Sequence, residues 1–193
     1  MDFRQRLFQY RSYTPIPFLL VMVYFARPSI QSLVIGFVVI ALGESIRLWG
    51  VAIAGSETRT TGPVGGTYLI TRGPFSYVRN PLYLGNMLIY VGVGIMSNAV
   101  FPWLAATALL YFFWQYSLIV NLEEEHLREK FGEEYKRYCE SVPRFFPLPK
   151  RYEQGEHAQP ELEWKRGIIS EKRTLQAITL LSVLLVTFYF YRG

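Results

Sequence analysis

At 193 residues the chain has the size of one domain, yet 51% hydrophobic and 17% aromatic residues make it too apolar for an ordinary soluble one. Its formal charge of +5 reads as basic loops lying against lipid rather than as a nucleic-acid face. Cys139 is the sole cysteine, which excludes an internal disulfide.

Five apolar segments follow one another. The first covers about 14–26, short and begun by Pro15 and Pro17; Arg4, Arg6 and Arg11 precede it as they would in a signal peptide. The prolines and the poor cleavage sequence Ala26-Arg27-Pro28 argue for a retained segment. The second covers about 29–54, joined through Arg27-Pro28-Ser29 and interrupted by Glu44 and Arg47, whose i,i+3 spacing allows an ion pair. The third (about 82–97) and fourth (about 100–120) are linked by little more than Ser97-Asn98-Ala99, which predicts a tight antiparallel hairpin. The fifth covers about 174–191. Each is close to the roughly 20 residues that cross a hydrocarbon core. A polar stretch over 121–173 dilutes them to a mean hydropathy of +0.16, and 148–173 is read as a linker before the last crossing.

Orientation follows from the Lys and Arg residues of the loops. With the N-terminus cytosolic, Arg4, Arg6, Arg11, Arg59, Arg72, Arg79 and all eleven Lys and Arg residues of 121–173 lie inside, and only Arg27 and Arg192 lie outside.

Two inside stretches carry the candidate chemistry. In 67–85, Gly73-Pro74 marks a turn, Pro81 suits the first turn of a helix and Asn80 suits its cap. This puts Arg79 and Asn80 at the mouth of the bundle, where free backbone N–H groups favour an anionic group. In 121–147, Glu123, Glu124 and Glu125 follow the fourth segment. Glu123 lies one turn beyond Ile119, and Glu124 points about 100° away from it, so the two acids need not share a role. Leu127, Phe131, Tyr135 and Tyr138 then recur at spacings of four, four and three, as on an amphipathic interfacial helix.

These stretches resemble the isoprenylcysteine carboxyl methyltransferases and their relatives, the phospholipid methyltransferases. The residues are G-P-F-S-Y-V-R-N-P-L-Y-L-G at 73–85 and E-E-E-H-L-R-E-K-F-G-E-E-Y-K-R-Y-C-E-S-V-P at 123–143. The resemblance covers roughly 67–147. It implies methyl transfer from S-adenosylmethionine to a lipophilic small molecule or lipid, with carboxyl, amino or phospholipid head groups as the possible acceptors. It implies cofactor-binding roles for Tyr68, Leu69, Ile70, Phe75, Arg79, Asn80, Pro81, Leu82, Tyr83, Glu123 and Glu124, with Arg79 and Glu123 as the catalytic candidates. The phospholipid branch also uses a G-x-G, matched here by Gly92-Val93-Gly94, although that pattern equally serves close helix packing.

Two positions depart from the family pattern. Asn80 stands where the eukaryotic carboxyl methyltransferases have His, and it cannot titrate. Ile119 stands where those enzymes have a substrate-contacting Arg, so prenylcysteine does not carry over as the acceptor. His126 and His157 are read as surface residues, and no metal-ligating set is among the candidates. The expectation is an all-α, multi-pass membrane bundle of about five transmembrane helices in a single domain, 1–193, with a cytosolic cofactor pocket, in a plasma membrane of prokaryotic type. The competing readings are an NADPH-dependent sterol-reductase-like enzyme, which has a similar R-H-P-x-Y-x-G element, and a non-enzymatic membrane scaffold.

Overall fold

The computed structural model describes residues 2–55, 68–153 and 159–192. Arg59, Thr67 and His157 lie outside them. The described residues are helical, with no strand. The helices are α1 (Phe3–Tyr10), α2 (Pro15–Tyr24), α3 (Ile30–Ala54), α4 (Pro81–Ser97), α5 (Trp103–Ser141) and α6 (Trp164–Arg192), with a 3-10 turn at Gly73–Ser76.

α1 was not read from the sequence. It is short, but Asp2 caps it by accepting from the Arg4 backbone N–H, and Phe8 is buried. The Arg4 guanidinium donates to the same carboxyl at 2.8 Å and holds it below the usual carboxylate pKa. Arg4 also pairs with Glu125 at 2.7 Å, which fastens α1 to α5.

Among the described residues, three helices are long and apolar enough to cross a membrane: α3, α5 and α6. At about 1.5 Å per residue, α2 and α4 are about 15 and 26 Å long against a core of about 30 Å. α2 still leads from one end of the bundle to the other. Before it lies α1, held to Glu125; after it, the Arg27 N–H donates to the Ser97 carbonyl at 2.9 Å. Asn98 closes the same end by donating to the Arg27 carbonyl at 3.0 Å, in the left-handed conformation that asparagine tolerates at a helix end. The two short connections anticipated at 27–29 and 97–99 therefore meet, and the polar stretches share the opposite end.

α3 and α4 run antiparallel at very close range. Gly36 and Gly43 on α3 face Gly92 and Gly85 on α4; a Cβ on Gly92 would meet the Ile40 nitrogen at 2.8 Å and the Gly36 carbonyl at 2.9 Å. One on Gly94 would meet the Ala105 Cβ of α5 at 2.8 Å. The Gly92-Val93-Gly94 sequence is thus a packing element in this fold.

α5 continues well past the fourth apolar segment. Gly132 breaks its course with φ 52° and ψ −123°, a conformation glycine reaches at low cost. Beyond the break, Tyr135, Tyr138 and Val142 pack with Leu69, supported by Leu127, Phe131 and Tyr152. The amphipathic spacing seen in the sequence has found its partners.

α6 begins at Trp164, ten residues before the apolar run, so the stretch read as a linker ends in helix. The cause is tertiary. The Glu163 N–H donates to the Ala52 carbonyl at 2.9 Å, and Gly167 lies so close to α3 that an added Cβ would stand 3.0 Å from the Ala52 Cβ.

Candidate functional site

The segment 68–80 reaches the bundle through the turn at Gly73–Ser76, where the Ser76 hydroxyl donates to the Gly73 carbonyl at 2.6 Å. Several bonds tie it to the chain around the end of α5. The Tyr138 hydroxyl donates to the Phe75 carbonyl at 2.6 Å, the Arg79 N–H to the Pro143 carbonyl at 2.8 Å and the Leu148 N–H to the Tyr77 carbonyl at 3.2 Å. α4 then starts with Pro81, as the sequence predicts. Asn80 occupies the cap position, but its side chain forms no cap bond; it donates instead to the Arg144 carbonyl at 3.2 Å.

The two candidate stretches border one cavity of about 820 Å³. Tyr68, Leu69, Ile70, Phe75, Arg79, Asn80, Pro81, Leu82, Tyr83, Glu123 and Glu124 all line it. The Tyr83 hydroxyl donates to Glu123 at 2.8 Å, joining the start of α4 to α5. Glu124, buried, is held by two arginines: Arg79 Nε at 3.1 Å on one oxygen, and Arg144 Nε at 3.2 Å and Nη2 at 2.6 Å, one on each oxygen. The angular separation expected of the two acids is thus realised as different partners.

Arg79 is engaged more heavily than an open anion-binding residue. Besides Glu124, its Nη1 donates to the carbonyls of Cys139 at 3.0 Å and Val142 at 2.7 Å. His126, read as a surface residue, is half-buried in the cavity wall. It is turned inward because α5 remains helical through the acidic run.

The cavity extends beyond the motif residues. Phe8, Arg11 and Ser12 cover one side. Deeper, Tyr83, Asn86 and Tyr90 share a face of α4 and meet Tyr116 of α5, whose hydroxyl accepts from Asn86 at 3.3 Å. Asn86 in turn accepts from Arg47, which pairs with Glu171 of α6 at 2.7 Å and with Glu44 at 3.6 Å. The local Glu44–Arg47 pair visible in the sequence is therefore the looser of two. Ile16 and Leu19 of α2 and Ala177, Ile178 and Leu181 of α6 complete an apolar wall. The i,i+3,i+7 spacing of Tyr83, Asn86 and Tyr90 could have flagged this polar strip; nothing local flagged Arg11 or Glu171.

Helices of membrane length, outward apolar faces and a cavity lined by both polar and apolar residues define an integral membrane protein. The chain belongs to the phospholipid methyltransferase family, whose sequence pattern matches residues 31–134. It is 33% identical over 123 residues to the cobalt-zinc-cadmium resistance protein CzcN of Cupriavidus metallidurans, an alignment covering 62% of this chain and 51% of that protein. It is 32% identical over 116 residues to the nickel-cobalt-cadmium resistance protein NccN of Alcaligenes xylosoxydans xylosoxydans, covering 60% and 49%. It is 35% identical over 81 residues to the protein-S-isoprenylcysteine O-methyltransferase of Schizosaccharomyces pombe, covering 42% and 33%. The chain thus spans about half the length of the first two relatives and a third of the last.

Proposed function

We propose that the protein transfers a methyl group from S-adenosylmethionine to a lipophilic acceptor at the cytosolic face of a membrane. The observation that carries this reading is the shared cavity. The start of α4 and the acids of α5 are forty residues apart in sequence, yet Tyr83 bonds to Glu123 across the space between them. Family membership supports the same chemistry.

The residues fit such a donor by type. Tyr68, Leu69, Ile70 and Phe75 offer aromatic and apolar surface for a base, and Glu123 can accept from hydroxyl or ammonium groups beyond its bond to Tyr83. When bound, the donor supplies a methyl on a positively charged sulfur. The protein's task is then alignment and exclusion of water. Leu82 and Tyr83 line the cavity at the start of α4, and Phe8 of α1 and Arg11 line it as well. A carboxylate acceptor attacks without a base; an amine must first lose a proton. With α2 and α4 taken as two further passes, making five, the Lys and Arg asymmetry supports a cytosolic placement of the cavity. Through the apolar wall formed by α2 and α6, the acceptor would enter from the bilayer.

Calorimetry on the detergent-purified protein tests the reading. S-adenosylmethionine should bind and NADPH should not, and Glu123→Gln should weaken donor binding about tenfold or more, the loss of a charged hydrogen-bond partner. Binding of NADPH alone points to the reductase reading, and binding of neither points to a scaffold.

A further inference from the structure

Arg144 lies outside the cavity lining and beyond the family-matched residues 31–134, yet it contacts both halves of the site. Its backbone carbonyl accepts from Asn80 at 3.2 Å. Its guanidinium spans both oxygens of Glu124 and also donates to Asn121 Oδ1 at 2.8 Å. The preceding residue, Pro143, accepts from the Arg79 N–H. One residue after α5 is therefore wedged between the start of α4 and the acidic turn of α5.

This arrangement sorts the two neighbouring acids. Glu124 receives three guanidinium bonds and is 4% exposed. Its charge is spent inside the protein. Glu123, one residue earlier, holds a single phenol bond and faces the cavity. With only the Arg79 Nε contact at one oxygen, Glu124 would have a second oxygen with no guanidinium on it, and the helical turn carrying both acids would lose its brace.

We propose that Arg144 is a positioning residue for donor binding: by bridging Glu124 and bracing Asn80, it fixes Glu123 as the acid that meets the methyl donor. The inference rests on the methyltransferase reading above. It excludes a direct role for Glu124 toward the donor and makes Arg79 part of the brace.

The test uses the full chain in detergent, with S-adenosylmethionine titrated by calorimetry and thermal unfolding recorded in parallel. Arg144→Gln should raise the donor Kd by about 10- to 100-fold, the scale of a roughly 1 Å misplacement of a binding group. The unfolding temperature should fall only modestly, because Arg79 still holds Glu124 and the Arg144 side chain is itself partly exposed. Arg144→Lys keeps the charge but not the fork, and should fall between wild type and Arg144→Gln. Wild-type affinity in Arg144→Gln overturns the inference and leaves the methyltransferase reading standing. If Arg144→Gln does not fold, Arg144→Lys decides: wild-type affinity there overturns the inference just as firmly. If the wild-type protein binds no donor, both fall together.

Discussion

Arg79, just before α4, and Arg47, within α3, each meet an acid on another helix, but they stand in different surroundings. Arg79 sits just before α4, and two of its three guanidinium bonds go to backbone carbonyls at the end of α5. Arg47 sits inside the bundle, and its partners are side chains from α4 and α6. The first arrangement shapes a loop around a cavity. The second closes a polar gap within apolar helices, where Glu171 is fully buried. Both arginines offset a buried carboxylate, but Glu124 keeps Arg144 when Arg79 is lost, whereas losing Arg47 takes the guanidinium 2.7 Å from Glu171.

The sharpest way to break this contrast is Arg47→Leu. It removes the 2.7 Å partner of Glu171, and unfolding in denaturant should show a loss of about 3 kcal/mol or more. Pairing it with Glu171→Leu should recover part of that loss; no recovery would mean that the pair does not act as a unit. Next in size is Gly92→Leu, which drives a side chain into the α3 backbone and should cost about 1–3 kcal/mol on the same measurement, with donor affinity retained in the protein that folds. Tyr83→Phe probes the cavity end of the comparison. Without the bond to Glu123, turnover or donor affinity should fall about tenfold with the melting temperature nearly unchanged. The smallest effect belongs to Arg4→Ala. Its pair with Glu125 is solvent-exposed, so neither melting temperature nor donor affinity should move at moderate salt.

Much of the site was legible before any coordinates. Pro81 at a helix start, the acidic run after an apolar segment and the spacing of Leu127, Phe131, Tyr135 and Tyr138 are local patterns, and local patterns survive folding unchanged. Other features were hidden because they depend on distant partners. Asn80 has the chemistry of a cap, but its side chain is taken by the Arg144 carbonyl. His126 follows three acids and looks solvated, yet helix geometry turns it to the cavity. Glu171 lay in an apparent linker, and contacts with α3 explain why helix forms there: its ion pair with Arg47, the Glu163–Ala52 hydrogen bond and the close approach of Gly167 to Ala52.

The sequence by itself determined the five apolar helical segments, the ends at which their polar connections gather and the residue types available for a donor, since these follow from hydropathy, proline placement and charge. Tertiary structure decided which residue answers which. It divided the acids into Glu124, held between arginines, and Glu123, facing the cavity. It assigned the glycines of α3 and α4 to backbone contact and brought α1 and α6 to a site their own sequences do not announce. The reason is physical: helix formation is governed by neighbours three and four positions away, whereas a cavity is the space left between helices once their side chains have chosen partners from the whole chain.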